Sequence, residues 1–186
     1  TDTGKNILSP GKDPINNKVF LTFLVAIIKA VHENQDLLRI SVADAGNDHR
    51  LGGNEAPPAI LSMFIGTDLE KVLKCIEENL PYNEETLNSL AIDVGVLPSF
   101  KKDTTDRNRT SPFAFTGNKF EFRMLGSTAN IACPNTILNT IVAESLDYVS
   151  DYIEGKDDID KALNEVLKKI LKEHKAIIFN GNNYAP

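Results

Sequence analysis

The sequence has 186 residues, of which 41% are hydrophobic and 25% are charged, and its formal net charge is −6 at pH 7. This length favours one domain, and the hydrophobic fraction supports a folded core and argues against a disordered chain. The negative charge argues against a general nucleic-acid binder, so any phosphate chemistry has to come from local cations. The two cysteines, Cys75 and Cys133, match no metal-binding spacing, and we expect two buried thiols in a reducing cytosol.

Apolar residues recur at helical spacing in five stretches, which we predict as helices. The first stretch places Phe20, Leu24 and Ile28 on one apolar stripe. The segment 44–58, DAGNDHRLGGNEAPP, is rich in glycine and proline and is predicted as a loop. The five predicted helices lie within residues 20–31, 35–43, 67–80, 134–149 and 156–174.

Three stretches have the pattern of β-strands. Residues 58–66 are apolar and bounded by Pro58 and Gly66, which is typical of a buried strand, and residues 176–180 predict a last short strand. The stretch KFEFRM, residues 119–124, alternates apolar and charged residues strictly. In a strand its two phenylalanines and its methionine point into the core, and its three charged side chains point to the other face. Those charged residues are Lys119, Glu121 and Arg123.

The charged face of this strand is the first candidate site. Arg107 and Arg109 lie shortly before it in DRNRT, and a hairpin-like return of the chain would surround Glu121 with cations. A carboxylate in that setting suits Mg²⁺, which proteins hold with few carboxylates plus substrate phosphates, and arginine forks match phosphate oxygens. The alternative interpretation is ordinary cross-strand pairing of charges on a solvated sheet, and the spacing alone does not separate the two.

Arg50 and Glu55, in NDHRLGGNEAPP, form the second candidate. Loops hold binding groups more often than cores do, so Arg50 is a candidate clamp for a carboxylate substrate. Glu55 is a candidate base, or a group that closes over a cation. From the residues alone, an ordinary surface loop is the preferred interpretation.

Four stretches together resemble the type III form of glutamine synthetase: NDHRLGGNEAPPAI, DTTDRNRTSPFAFTGNKFEFRMLGS, PNTILNTIVAESL and IIFNGNNY. The resemblance covers essentially the whole chain. It implies an α+β fold, in which residues 1–186 are a fragment of a single catalytic domain with a curved, mostly antiparallel sheet packed with helices. It also implies a helical insertion at about 66–103 and a chain that ends before the family's C-terminal helical region.

The activity implied by the resemblance is the ATP-dependent ligation of ammonia to glutamate through a γ-glutamyl phosphate. By position, Arg50 resembles the arginine that holds the substrate glutamate, and Glu55 resembles the glutamate that closes over the ammonia site and helps to remove a proton. Arg109 and Lys119 correspond to nucleotide-binding cations. Mg²⁺ or Mn²⁺ is the expected cofactor, and ATP is a substrate.

Two further roles follow from the same resemblance. Glu121 resembles a metal-ligand glutamate, and Arg123 resembles the arginine that steadies the transferred phosphoryl group. The expected partners are glutamate, ammonia, ATP and further copies of the protein in a cytoplasmic ring, a dodecamer in the parent enzyme. We expect no nucleic acid and no membrane as partners. The family's remaining metal ligands have no counterpart here, so the fragment alone is expected to be inactive.

The sequence departs from commoner forms of the family. Phe113 and Phe115 occupy the region where those forms carry a further phosphate-binding arginine, and Lys119 replaces an arginine. A lysine is a point charge and lacks the planar fork that binds phosphate through two hydrogen bonds. Two alternative functions therefore stay open: a non-catalytic scaffold or interaction module, and another ATP-dependent carboxylate–amine ligase.

Overall fold

The protein is described by a computed structural model that covers residues 1–53, 56–81 and 111–183. In these ranges the chain forms six α-helices and a three-stranded sheet, which confirms the α+β class. The helices are α1 (Lys18–Glu33), α2 (Gln35–Ile40), α3 (Ala45–Arg50), α4 (Thr67–Glu78), α5 (Ala132–Ile153) and α6 (Ile159–His174). The strands are β1 (Met63–Phe64), β2 (Phe113–Phe115) and β3 (Phe120–Phe122).

Helices α1, α5 and α6 pack against one another and form a helical layer. The apolar stripe of α1 is buried here, and Phe20, Leu24 and Ile28 are each 0% exposed. Side chains fix where the helices begin: Asn17 accepts a hydrogen bond from the Phe20 N–H, and Asp158 accepts one from the Lys161 N–H. The three long helices predicted from periodicity are therefore confirmed. No described helix is both long and apolar enough to span a bilayer.

Helix α4 lies against α6. Its start is tied to the C-terminal segment, because the side-chain oxygen of Asn180 accepts from the N–H groups of Ile65 and Gly66 at 3.0 and 2.9 Å. The helix ends at Asn79, which adopts the left-handed conformation with φ 54°. Residues 82–103, the rest of the expected insertion, lie outside the described residues, so the insertion stays a prediction.

The sheet has the order β1-β2-β3, with β1 parallel to β2 and β2 antiparallel to β3. Strands β2 and β3 form a hairpin whose turn includes Gly117, with φ 97°, and is closed by the Thr116 N–H donating to the Lys119 carbonyl at 2.9 Å. Phe120 and Phe122 pack on the core, and Met124 is 0% exposed, as the alternating pattern predicts. A larger curved antiparallel sheet stays a prediction.

Four expectations about secondary structure are corrected. The predicted loop at 44–58 contains the short helix α3, because the Asp44 side chain accepts from the Asn47 N–H and caps a helical turn. The second predicted helix ends at Ile40 instead of residue 43. Within the predicted strand 58–66, only β1 is a strand, and Ile60 is 78% exposed. Residues 175–177 form a 3-10 helix, and Ile178 makes a single parallel bridge to Met63 in place of a last strand.

The expectation of two buried thiols is half right. Cys75 is buried on α4, whereas Cys133 is exposed near the start of α5. Burial raises the pKa of the Cys75 thiol, and the Glu78 carboxylate acts in the same direction. Cys75 is therefore an uncharged part of the core at neutral pH.

Candidate functional site

The charged face of β3 holds three side chains in contact. The Arg123 Nε and Nη2 atoms both donate to the Glu121 Oε2 atom, at 3.1 and 3.0 Å. The Lys119 Nζ atom lies 3.3 Å from the Glu121 Oε1 atom. Exposed fractions of the side chains fall along the strand, from 64% for Lys119 to 37% for Glu121 and 15% for Arg123. The Glu121 carboxylate therefore lies between an exposed cation, Lys119, and a largely buried cation, Arg123.

The hairpin explains how the sequence places these groups. Glu121 pairs with Ala114 across the ladder. The Thr116 hydroxyl lies 3.4 Å from the Glu121 Oε1 atom, so the hairpin turn also contacts the carboxylate. The Arg123 N–H donates to the Pro112 carbonyl at 2.8 Å, which continues the hairpin pairing past β3. The two-residue period of the strand thus sets all three charged side chains on one face.

Hydrogen bonds decide the charge of Glu121. Partial burial alone would raise its pKa, but hydrogen bonds from Arg123 and Lys119, together with their positive charges, hold that pKa below its usual value. Glu121 is consequently ionised at neutral pH. One fixed anion with two flanking cations can receive a metal ion and the phosphate oxygens that accompany it.

Arg50, the last residue of α3, is anchored to the chain that follows β3. Its Nη2 atom donates to the Met124 and Leu125 carbonyls, each at 3.0 Å. Its Nε atom donates to the Asn47 side-chain oxygen at 3.0 Å. The Arg50 guanidinium is therefore held against the backbone that begins one residue beyond Arg123.

The structure brings some of the predicted residues together and does not describe the others. Lys119 and Arg123 both contact Glu121, and Arg50 is joined through the Met124 carbonyl to the chain that follows β3. The Lys119–Glu121 and Arg123–Glu121 pairs each join residues two apart in the sequence. The remaining predicted site residues, Glu55, Arg107 and Arg109, lie outside the described residues. The roles of all of them stay predictions.

Glu121 fits a divalent cation as one ligand. Its carboxylate is ionised and partly exposed, which is what a Mg²⁺ or Mn²⁺ ligand requires. Among residues 1–53, 56–81 and 111–183, no group of three or more histidine, cysteine or acidic side chains is arranged to hold a metal ion.

Two polar clusters were missed by sequence reasoning. Asn47 is 3% exposed and binds both Arg50 and the Met124 carbonyl in the chain that follows β3. Its spacing to the cap residue Asp44 was a signal only for the start of a helix. His174 is 8% exposed, and its Nδ1 atom lies 2.9 Å from the Nδ1 atom of His32. The two histidines are 142 positions apart in the sequence, so no local pattern indicates this contact.

Comparisons with known proteins agree with the family resemblance. Residues 162–186 match the family model of the glutamine synthetase C-terminal domain. The chain is 47% identical to the type-3 glutamine synthetase of Dictyostelium discoideum and to the glutamine synthetase of Bacteroides fragilis, and both alignments cover 100% of this chain and 26% of the relative. A glutamine synthetase of Butyrivibrio fibrisolvens is also 47% identical, over 99% of this chain.

The chain therefore belongs to the glutamine synthetase family. It spans about a quarter of the length of the curated relatives that it matches, since it covers 26% of each. The match of residues 162–186 to the C-terminal domain corrects the expectation that the chain ends before the family's C-terminal helical region.

Proposed function

We propose that this chain forms part of a glutamine synthetase that joins ammonia to glutamate at the expense of ATP. The observation that carries the proposal is the ionised Glu121 carboxylate between Lys119 and Arg123 on one strand face. The identity of 47% along the whole chain to proteins named glutamine synthetase supports the same reaction.

In the proposed reaction, an oxygen of the glutamate side-chain carboxylate attacks the γ-phosphorus of ATP. The bond from that phosphorus to ADP breaks, and a γ-glutamyl phosphate forms. Ammonia then attacks the acyl carbon, phosphate leaves, and the nitrogen loses a proton. We assign the acceptance of that proton to Glu55, which lies outside the described residues.

The cations have separate roles in this scheme. Arg123 is the most sheltered member of the charged face, and its planar fork suits the phosphoryl group in transfer, where negative charge is redistributed. Lys119 is exposed and suits the ATP phosphates as a mobile point charge. We assign a second ATP contact to Arg109 and the binding of the substrate's carboxylate to Arg50.

Glu121 would supply one ligand to Mg²⁺ or Mn²⁺. Such an ion, when bound, would neutralise part of the charge of the ATP phosphates. Of the two Glu121 carboxylate oxygens, Oε1 is the more available to a metal ion. Its neighbour Lys119 is exposed, with Nζ 3.3 Å away, whereas Oε2 receives both hydrogen bonds from Arg123.

The proposal includes three features of the whole enzyme. It works as a ring of identical subunits, a dodecamer, in the cytoplasm. The 186-residue chain alone makes no glutamine, because one carboxylate does not hold divalent ions against water. Glutamine formation by the isolated chain, in an assay with ATP and Mg²⁺ or Mn²⁺, would contradict this last feature.

The test of the reaction uses the full-length protein that contains this segment. We expect Glu121→Ala and Glu121→Gln to lower kcat by about 100-fold or more, since each removes a fixed charge from the phosphate site. The matched control is Glu144→Ala, which removes an exposed glutamate from α5. Equal activity of the Glu121 and Glu144 variants would overturn the site assignment.

The same assay separates the alternative functions. A non-catalytic scaffold predicts no ATP-dependent product from the full-length protein with any amine. Another carboxylate–amine ligase predicts a product with a different amine or acid in a substrate panel. We expect glutamate and ammonia to give the highest kcat/KM of the panel.

A further inference from the structure

We propose that Asn47 is a positioning residue for substrate binding, which sets the orientation of Arg50 and joins it to the strand that carries Glu121 and Arg123. The inference rests on the proposed function, because Arg50 is a substrate-binding group only in that reaction. No catalytic contact is assigned to Asn47 itself.

The Asn47 side chain makes hydrogen bonds in three directions, and both of its N–H donors are used. Its Nδ2 atom donates to the Val42 carbonyl at 2.7 Å and to the Met124 carbonyl at 2.8 Å. Its Oδ1 atom accepts from the Arg50 Nε atom at 3.0 Å. The residue is 3% exposed, so water has little access to replace these bonds. The two Nδ2 bonds fix which way Oδ1 points, and Oδ1 in turn fixes the Arg50 side chain.

Arg50 has few ways to move once Asn47 is in place. A guanidinium has five N–H donors, and the Nε donor and the two on Nη2 are used by Asn47 and by the Met124 and Leu125 carbonyls. Among the described residues, nothing accepts from Nη1. A substrate carboxylate would therefore meet Arg50 at Nη1, on the side that faces away from its backbone anchors.

The Met124 carbonyl connects the two parts of the proposed site. It accepts from Asn47 at 2.8 Å and from Arg50 at 3.0 Å, and Met124 directly follows Arg123. The Met124 side chain is 0% exposed, which holds this peptide in the core. Gly126 is a further neighbour of Asn47, because a Cβ atom built there would lie in van der Waals contact with Oδ1 at 3.4 Å. A shift of Asn47 would therefore move the Arg50 side chain relative to the segment that carries Glu121 and Arg123.

The test measures KM and kcat for the full-length enzyme with Asn47→Ala and Asn47→Asp. We expect the KM for glutamate to rise by about 10- to 100-fold, as is usual when a group that orients a binding residue is removed, while the KM for ATP changes much less. Asn47→Asp is the more informative change. It keeps an oxygen for Arg50 and adds an attractive charge, but it places an oxygen against the Val42 and Met124 carbonyls. We expect it to be at least as harmful as Asn47→Ala.

Asn180→Ala is the matched control, since Asn180 also makes three side-chain hydrogen bonds, but to the start of α4. We expect it to leave the KM for glutamate within about twofold of the starting value, because it touches neither Arg50 nor Met124. A double-mutant cycle pairs Asn47→Ala with Arg50→Lys. We expect the two changes in KM to be strongly non-additive, because the Asn47 change acts through Arg50.

Two results would overturn the positioning role. One is a rise in the glutamate KM for Asn47→Ala no larger than for Asn180→Ala. The other is a double variant whose rise in glutamate KM equals the product of the fold-changes of Asn47→Ala and Arg50→Lys. The failure of the proposed function looks different, because Arg50→Lys would then leave the glutamate KM unchanged, or the unmodified full-length protein would make no glutamine.

Discussion

The helical layer and the charged hairpin are built by opposite means. In the layer of α1, α5 and α6, side chains such as Ile28 and Ile170 are 0% exposed and carry no polar atoms. In the hairpin, Lys119, Glu121 and Arg123 stay partly open to solvent and hold each other by charge. The helical layer contributes mainly to stability and the hairpin supplies fixed charge, so substitutions in the two regions should damage different properties.

The largest expected effect is a loss of stability in the helical layer. Ile170→Ala removes a side chain that is 0% exposed on α6, and we expect the free energy of unfolding to fall by about 2–5 kcal/mol. Urea unfolding followed by circular dichroism measures this change. Lys119→Ala, in the hairpin, should change the same free energy by less than about 0.5 kcal/mol. Similar losses of unfolding free energy from both substitutions would contradict this difference between the two regions.

A smaller effect concerns pH and the buried His174 at the end of α6. The pKa of His174 lies below its usual value because the ring is buried and because Lys29 and His32 repel its positive charge, while Glu33 and Glu173 act in the opposite direction. The unfolded chain therefore binds a proton more readily than the folded one does. Stability should be constant above the unfolded pKa of about 6.5 and fall as the pH drops from there toward the lower folded pKa.

The measurement is urea unfolding of the protein and of His174→Gln at several pH values from about 5 to 8. The variant should lose part of the decline on the acidic side. His49→Gln is the matched control, because His49 is exposed on α3 and should leave the decline as it was. A His174 variant with the same pH profile as the unmodified protein would refute the assignment.

The smallest expected effect is at the open end of the charged face. Lys119 is 64% exposed, so in the full-length enzyme Lys119→Ala should raise the KM for ATP by less than about fivefold. Salt should reduce the difference further, because exposed charges are screened. Steady-state kinetics at low and high ionic strength would show this. An effect as large as that of the Glu121 variants would mean that the exposed lysine is held firmly in the complex.

Much of this structure follows from local patterns. Hydrophobic periodicity correctly identifies the core side chains of α1, α6 and β3. Only one rotation of a helix, or one register of a strand, buries all of the apolar side chains. Helix α3 was missed because the glycines and asparagine of its segment favour loops, while the Asp44 cap provides the missing hydrogen bond.

The site is less accessible to sequence reasoning than the fold. Local alternation predicts that Lys119, Glu121 and Arg123 share a face, and no more than that. The anchoring of Arg50 depends on the Met124 carbonyl, 74 residues away, and backbone carbonyls leave no trace in residue identity. The strand predicted at 58–66 was too long because residue type does not show burial. Ile60 is apolar like a core residue, yet it is exposed.

The most direct test of the account is the location of a bound metal ion. We would soak or co-crystallise the full-length protein with Mn²⁺ and a non-hydrolysable ATP analogue and record anomalous diffraction. We expect an Mn²⁺ ion coordinated by the Glu121 carboxylate, with the phosphates of the nucleotide between Lys119 and Arg123. An ordered nucleotide and Mn²⁺ ion bound elsewhere, with Glu121 still paired only to its neighbouring cations, would contradict it.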